Sequence, residues 1–552
     1  MTPLKRFINL LKLDKKDIVQ IFFYAIFAGI VSLSLPLGIQ AIINFIQAGR
    51  ISASWIVLVV LVVFGVAFVG VLSLMQLRIT ENLQQKIFVR AAFEFAYRIP
   101  KFKFEEIYNK YSPEIANRFF DTLNIQKGTS KLLIDFSAAL LQITFGLILL
   151  SLYHPFFIIF GMLLMVLLYF IFKFSYIPGL ESSLKESKFK YKVAAWLQEL
   201  ARNSNTFKRE NHFEFALNKN DKLVNDYINY REKHFNIIKK QFLQLITFKV
   251  IITASLLLIG GFLVMQEQMN IGQFVAAEII ILLVINSVEK IILGLETFYD
   301  VLTSVEKIGQ VTDIELEFES TKPITECYNS ISLEAEKIKF RFPDSKENTL
   351  DEISIKIEQG EKIVIEGDNG SGKTTLIKLL SGTIQPTYGA LYINDDTFRK
   401  IDLNQYRTHI ATVLQDDTLF EGTIKDNLTF GNYVSNEDIK WALDAVQLTN
   451  FIKTLPNGLD TKIYPEGKQL SASNAQKILL ARSIISKPKI LFLEDPTDKM
   501  DNETSQKIIS FLTDVKNKWT LVVTSREKVW EKSCNRIIYM EDGKINKDVK
   551  KQ

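Results

Sequence analysis

Six long apolar stretches dominate the first half of the chain, at about 18–45, 54–77, 132–153, 155–175, 244–265 and 272–294. Each reaches the roughly 20 residues that a helix needs to cross a hydrocarbon core. The intervals between them are of two kinds. Segments 46–53, 153–155 and 266–271 are brief, and Arg50 is their only Lys or Arg. Segments 79–130 and 177–244 are long and carry 8 and 13 Lys/Arg. This asymmetry predicts that the N-terminus, both long loops and the C-terminal half lie in the cytoplasm. The long loops are themselves helical in pattern. Glu81 to Phe88 continues the second span, and about 25 such residues carry a helix nearly 40 Å beyond the bilayer. Turns are expected near Pro113 and Asn211. Ahead of the first span, Met1 to Asp17 interleaves Leu4, Phe7, Ile8, Leu11 and Leu13 with lysines, the pattern of a helix lying in a membrane interface. The apolar run after it is longer than the core of a cleaved signal peptide and lacks a small-residue cleavage site.

Polar residues inside spans are costly and usually serve a purpose. Lys249 and Asp135 fall near cytoplasmic ends, where snorkelling accounts for them. In the sixth span, Glu278 and Glu289 lie about 20° apart on the helix and Asn286 about 80° round. This stripe is read equally well as facing a water-filled path or as interfacial placement. Pro36 and the pair Gly260-Gly261 are expected to kink helices or let them approach closely.

From about 310–330 onward the pattern changes to short alternating strands, turns and amphipathic helices. Lys337–Phe342 alternates as a strand and ends in Pro343-Asp344. A second strand, Ile410–Leu414, ends at Gln415, and a third, Ile490–Leu493, runs into Glu494-Asp495-Pro496-Thr497. A membrane domain at 1–312, a linker at 313–329 and a second domain at 330–552 follow. Composition adds little to this picture. A net charge of +5 over 552 residues leaves no nucleic-acid footprint. Two cysteines and four scattered histidines argue against a disulfide framework or a Cys/His metal cluster.

The chemistry is concentrated in Gly367-Asp368-Asn369-Gly370-Ser371-Gly372-Lys373-Thr374-Thr375. This loop follows the strand-like run Glu361–Glu366 and opens a helix at Thr375–Leu380. Strand, glycine loop and helix together form a phosphate cradle, in which backbone N–H groups converge on the phosphates. Lys373 is placed to reach the β/γ-phosphates and Thr374 to put its hydroxyl on Mg²⁺. ATP with Mg²⁺ is therefore the expected ligand.

Leu470-Ser471-Ala472-Ser473-Asn474 and Glu494-Asp495 follow the glycine loop in an order and spacing that resemble the ABC transporter family, in its exporter form with six spans and an ATPase domain on one chain. The resemblance covers the whole chain in layout and 330–545 in motifs. It implies an α-helical membrane domain of six transmembrane helices with long cytoplasmic extensions, joined to an α/β P-loop ABC ATPase domain. It further implies a half-transporter of the cytoplasmic (inner) membrane, contacting membrane lipid and paired as a homodimer or a heterodimer with another half-transporter. Two ATPs would be sandwiched between ATPase domains, and ATP-driven closure would reorient the spans to export a substrate. Protein secretion, peptide, lipid and drug export all remain open as its cargo. By the family pattern Phe342 stacks on adenine, and Gln415 contacts Mg²⁺ and couples to the membrane loops.

Three departures from that pattern fall on chemistry. The signature L-S-G-G-Q reads Leu470-Ser471-Ala472-Ser473-Asn474. Ser471 can still reach a γ-phosphate across the dimer, but Ala472 and Ser473 add Cβ atoms where backbone approaches phosphate. The usual Asp-Glu pair reads Glu494-Asp495, so Glu494 takes the Mg²⁺ position and Asp495 that of the general base, about 1.5 Å short in reach. The family's Thr-His-Arg reads Thr524-Ser525-Arg526, with Ser525 in place of the histidine that senses the γ-phosphate. With these faults on one chain, a homodimer carries two altered sites and a consensus partner leaves each site with some fault. ATP binding with slow hydrolysis is the expectation. The alternative is an ATP-binding regulatory or adaptor subunit of an export complex.

Overall fold

A computed structural model describes residues 1–47, 53–317, 331–394 and 396–551. Arg50 and most of the expected linker fall outside these residues. The chain divides into two compact units, one of Met1–Phe102 with Asn109–Glu315, the other of Lys103–Tyr108 with Leu316–Gln552. The transfer of six residues from the first long loop to the second unit was not foreseen in the sequence.

The first unit is helical. Helix α1 (Pro3–Leu13) is capped by the Thr2 hydroxyl, which accepts from the Lys5 N–H. Only Phe7 of α1 is buried, as suits a helix lying on an interface. It is followed by α2 (Lys15–Ser32), α3 (Ser34–Gln47) and α4 (Ala53–Arg98). The first apolar stretch is thus two helices broken at Leu33. Pro36 lies in the first turn of α3, where its missing N–H leaves no bond unmade. Two short helices follow, α5 (Phe104–Ile107), which belongs to the second unit, and α6 (Ser112–Asn117). Then come α7 (Asp121–Tyr153), α8 (Phe156–Arg202), the one-turn α9 (Ser204–Phe207), α10 (Glu210–Ser255), α11 (Gly261–Met265) and α12 (Ile271–Thr312). The turns fall at Pro113, which opens α6, and just ahead of Asn211, as expected. Among the described residues, six helical segments are long and apolar enough to cross a membrane. At 46 residues α4 is about 70 Å long, well over twice a hydrocarbon core.

Helices α7 and α12 share an extensive seam, along which small residues let their backbones approach. A Cβ on Gly128 would strike Val301, one on Gly146 would come within 2.9 Å of Val284, and one on Gly294 would strike the Phe136 ring. Gly260 is similar, its added Cβ lying 2.7 Å from the Phe274 ring, and it closes a widened turn at Leu256–Gly260. Gly261 faces open space, so of the glycine pair only Gly260 is a packing point. The Arg6 guanidinium ties α1 to the end of α12, donating to Glu306 at 3.1 Å and to both carboxylate oxygens of Asp313 at 3.0 and 2.5 Å.

Snorkelling does not describe Lys249, whose ammonium on α10 pairs with Glu289 on α12. Each side chain of the pair is about one-third exposed. Removing one partner leaves a partly buried charge without its counterion. Lys249→Leu and Glu289→Leu should each lower the unfolding midpoint in detergent, and the double change should recover most of the loss. Additive losses in the double variant would show that the pair is not coupled.

Among its described residues the second unit holds three sheets. An antiparallel sheet takes β1 (Leu333–Phe340), β2 (Leu350–Ile357), β4 (Tyr388–Ile393) and β5 (Asp396–Thr397) in the order β2-β1-β4-β5. The central sheet runs β12-β11-β3-β10-β9-β6, from β3 (Lys362–Glu366), β6 (Ile410–Val413), β9 (Ile490–Glu494), β10 (Thr520–Thr524), β11 (Arg536–Glu541) and β12 (Lys544–Lys550). All its pairings are parallel except that of β12, at the edge. A two-residue pair joins β7 (Gly422–Thr423) to β8 (Lys462–Ile463). Strands β9 and β10 are buried at every residue, as a parallel sheet covered on both faces requires. Their C-terminal ends, with that of β3, open onto one crevice, the usual ligand position in such a sheet.

Candidate functional site

Strand β3 delivers the chain into the glycine loop, and helix α13 (Lys373–Leu380) leaves it. Gly367 (φ 149°), Gly370 (φ 84°) and Gly372 (φ 94°) hold backbone that L side chains rarely adopt. A Cβ on Gly367 would strike the Met540 carbonyl, and one on Gly372 would lie 3.0 Å from the Thr349 carbonyl and 2.7 Å from Leu350. At both positions the backbone passes its neighbours too closely for a side chain, so the path of the loop requires glycine. The Lys373 ammonium donates to the carbonyls of Gly367 and Asp368, each at 2.7 Å, and so lies across the cradle. Burial, reinforced by Arg526, lowers its pKa from the ordinary lysine value.

A cavity of about 550 Å³ opens here, lined by Asn369–Thr375, Thr349, Gln415, Glu494, Asp495, Asp498 and Thr524–Glu527. Glu494, at the end of β9, is 5% exposed and held from two sides. The Thr374 hydroxyl donates to one of its oxygens, and the Gln415 backbone N–H to the other at 3.1 Å. Gln415 therefore enters this cluster through its main chain, and its side chain is exposed. Asp495 follows with φ 39°, a left-handed conformation that turns the chain sharply off the strand, and its N–H donates to the Thr524 carbonyl at 2.9 Å. Burial and the nearby Asp498 and Glu494 carboxylates raise the Asp495 pKa above the usual aspartate value. Ser525, 3% exposed, accepts from the Glu527 N–H at 3.2 Å. Its short side chain is turned back on its own loop.

The expected residues fall into three groups. Asn369–Thr375, Gln415, Glu494, Asp495 and Ser525 line one cavity, with Gly367 and Asp368 at its base through their bonds to Lys373. Phe342 lies two residues beyond β1, half-buried within an aromatic cluster and outside the cavity lining. Ser471, Ala472 and Ser473 are not among the lining residues either. The Ser471 hydroxyl caps its own helix, Ala472–Ile485, by accepting from the Asn474 N–H at 3.2 Å. Arg526 and Asp498 also line the cavity, beyond the residues expected from the motifs. Their only signal was position, one after Ser525 and the other three residues beyond Asp495.

Two family models match the chain, the ABC transporter transmembrane region at residues 18–288 and the ABC transporter domain at 350–498. Together they cover well over half of it. The chain belongs to the ABC transporter family. It is a multi-pass membrane protein of that family, and its ABC transporter domain implies ATP binding. The chain is 31% identical over 307 residues to an ATP-dependent lipid A-core flippase of Burkholderia orbicola, covering 55% of this chain and 50% of that one. It is 36% identical over 224 residues to an ATP-dependent permease of Candida albicans, covering 40% and 33%. The matches thus span half or less of these curated relatives. A bacterial Atm1-family ABC exporter solved with ATP bound superposes with a TM-score of 0.86 over 97% of this ABC transporter, at 19% identity. That likeness establishes the exporter fold.

Proposed function

We propose that this chain is a half-transporter of the cytoplasmic membrane that pairs with itself or with another half-transporter. It exports a substrate by alternating access gated by ATP binding, and its hydrolysis is slow. The observation that carries this reading is the Lys373–Thr374–Glu494–Gln415 cluster on one cradle, on the same chain as six spans. The donor set fits a hard cation such as Mg²⁺, since hydroxyl and carboxylate oxygens are what it takes. Thr374 and Glu494 would hold the ion, which would supply neutralisation of phosphate charge. Lys373 and the loop N–H groups bind the phosphates, and Phe342 takes the base. Asp495 stands where a water must be deprotonated, but it is short, and Ser525 is turned away. Each weakens positioning of the water and the γ-phosphate, and a misplacement of about 1 Å can cost on the order of 100-fold in rate. These same two residues favour a second reading, a subunit that binds ATP as a switch and regulates an export complex. Transport of candidate cargoes into inside-out vesicles, stimulated by ATP in wild type and lost in Lys373→Ala, tests the first reading.

The membrane orientation carries its own test. A cysteine in place of the exposed Gln268 should react with an impermeant maleimide on intact cells. Cysteines at Ser112 and Asn211, both exposed, should react only after permeabilisation. External labelling at Ser112 would overturn the orientation.

A further inference from the structure

Phe342 owes little of its ring orientation to the sheet, since β1 ends at Phe340. Its backbone is held by a closed loop, with the Ser345 N–H donating to the Phe342 carbonyl at 3.0 Å and the Thr349 N–H to the Phe340 carbonyl at 2.8 Å. Its ring is set by other aromatics. Phe340 meets it edge-on, at 5.0 Å between centroids and 87° between planes. The ring that stacks on it is Tyr108, at 5.1 Å and 26°. Tyr108 comes from the Lys103–Tyr108 segment, which clusters with the second unit. Phe104 anchors that segment by packing against the core of β1, β2 and α13 and against Tyr108 at 5.4 Å. Tyr108 itself is 42% exposed, so it adds little to the core it borders.

We propose that Tyr108 is a positioning residue for the nucleotide base, fixing by its stack the plane in which Phe342 receives the purine. The proposal rests on the reading of this unit as an ATP site. A ring already held in its binding plane loses less freedom when a base stacks on it, and offset stacking between aromatic groups adds to affinity beyond area alone. The first long loop thereby becomes part of base recognition, while the phosphate cradle does not depend on it.

The test uses the full chain in lipid nanodiscs and measures calorimetric binding of ATP and of inorganic tripolyphosphate, each with Mg²⁺. Tyr108→Ala should weaken ATP about 5-fold and leave tripolyphosphate unchanged, and Tyr108→Phe should restore ATP affinity. Tyr108→Leu, which keeps bulk without a π face, should behave as the alanine does and carries the test if the alanine variant does not fold. ATP affinity unchanged or tightened in Tyr108→Ala and Tyr108→Leu, or both ligands weakened alike, overturns the proposal. Lys373→Ala separates it from the reading beneath. If that change weakens neither ligand, the ATP-site assignment fails and takes Tyr108 with it. If it weakens both while Tyr108→Ala weakens neither, only the role of Tyr108 fails.

Discussion

Lys373→Ala is expected to weaken ATP binding by on the order of 100-fold, equivalent to about 2.7 kcal/mol. The ammonium already lies over the loop, on the carbonyls of Gly367 and Asp368. A triphosphate offers it charge-assisted bonds that two neutral carbonyls cannot match. The change leaves helix α13 intact, because alanine is a better helix former than lysine. Phe342→Ala should weaken ATP less, since it removes stacking and no charge. Fluorescence titration with a labelled ATP reads both. Equal affinity for wild type and Lys373→Ala would remove the cradle from the account.

The readable parts of this molecule are those whose physics is local. A span must be about 20 apolar residues long wherever it packs, so all six stretches stood out. The glycine loop has the same quality, because its positive-φ turns and its close passage by the Met540 and Thr349 carbonyls demand Gly367 and Gly372 at fixed spacing. Strands β3, β6 and β9 lay within a residue of where alternation and apolar runs put them. Parallel strands buried on both faces leave dense apolar runs. What escaped was contact between residues far apart in the chain. Tyr108 stacks on Phe342 from 234 positions away, and nothing in either local pattern signals the pairing. Lys249 looked like a snorkelling lysine until α12 set Glu289 beside it. Gln415 drew notice for its side chain, yet its backbone N–H reaches Glu494, and residue type carries no information about a main-chain donor.

The second large effect concerns turnover. The wild-type chain should hydrolyse ATP well below the roughly 1–10³ s⁻¹ typical of enzymes. Asp495→Glu alone should help little, because the Ser525 hydroxyl still accepts from the Glu527 N–H and is shorter than a histidine ring. Ser525→His alone should also help little, because the carboxylate that orients the water remains short. Groups that act as one unit respond non-additively, so the double change should raise turnover by more than the product of the single effects. The lengthened carboxylate must be accommodated at a residue whose φ is 39°, but that strain belongs to the backbone and is present already with aspartate. A wild-type rate within the enzyme range and no gain from the double change would show that the short carboxylate suffices. The switch reading would then give way to a plain active exporter.

On the proposed function, this site takes up ATP firmly and releases it slowly as product. This is tested most directly by incubating the full chain, in nanodiscs, with radiolabelled MgATP, then filtering rapidly and resolving the retained nucleotide over time. Retained nucleotide should still be mostly triphosphate after minutes in wild type and almost absent in Lys373→Ala. No retained nucleotide in wild type, or nucleotide found wholly as ADP within seconds, would contradict it.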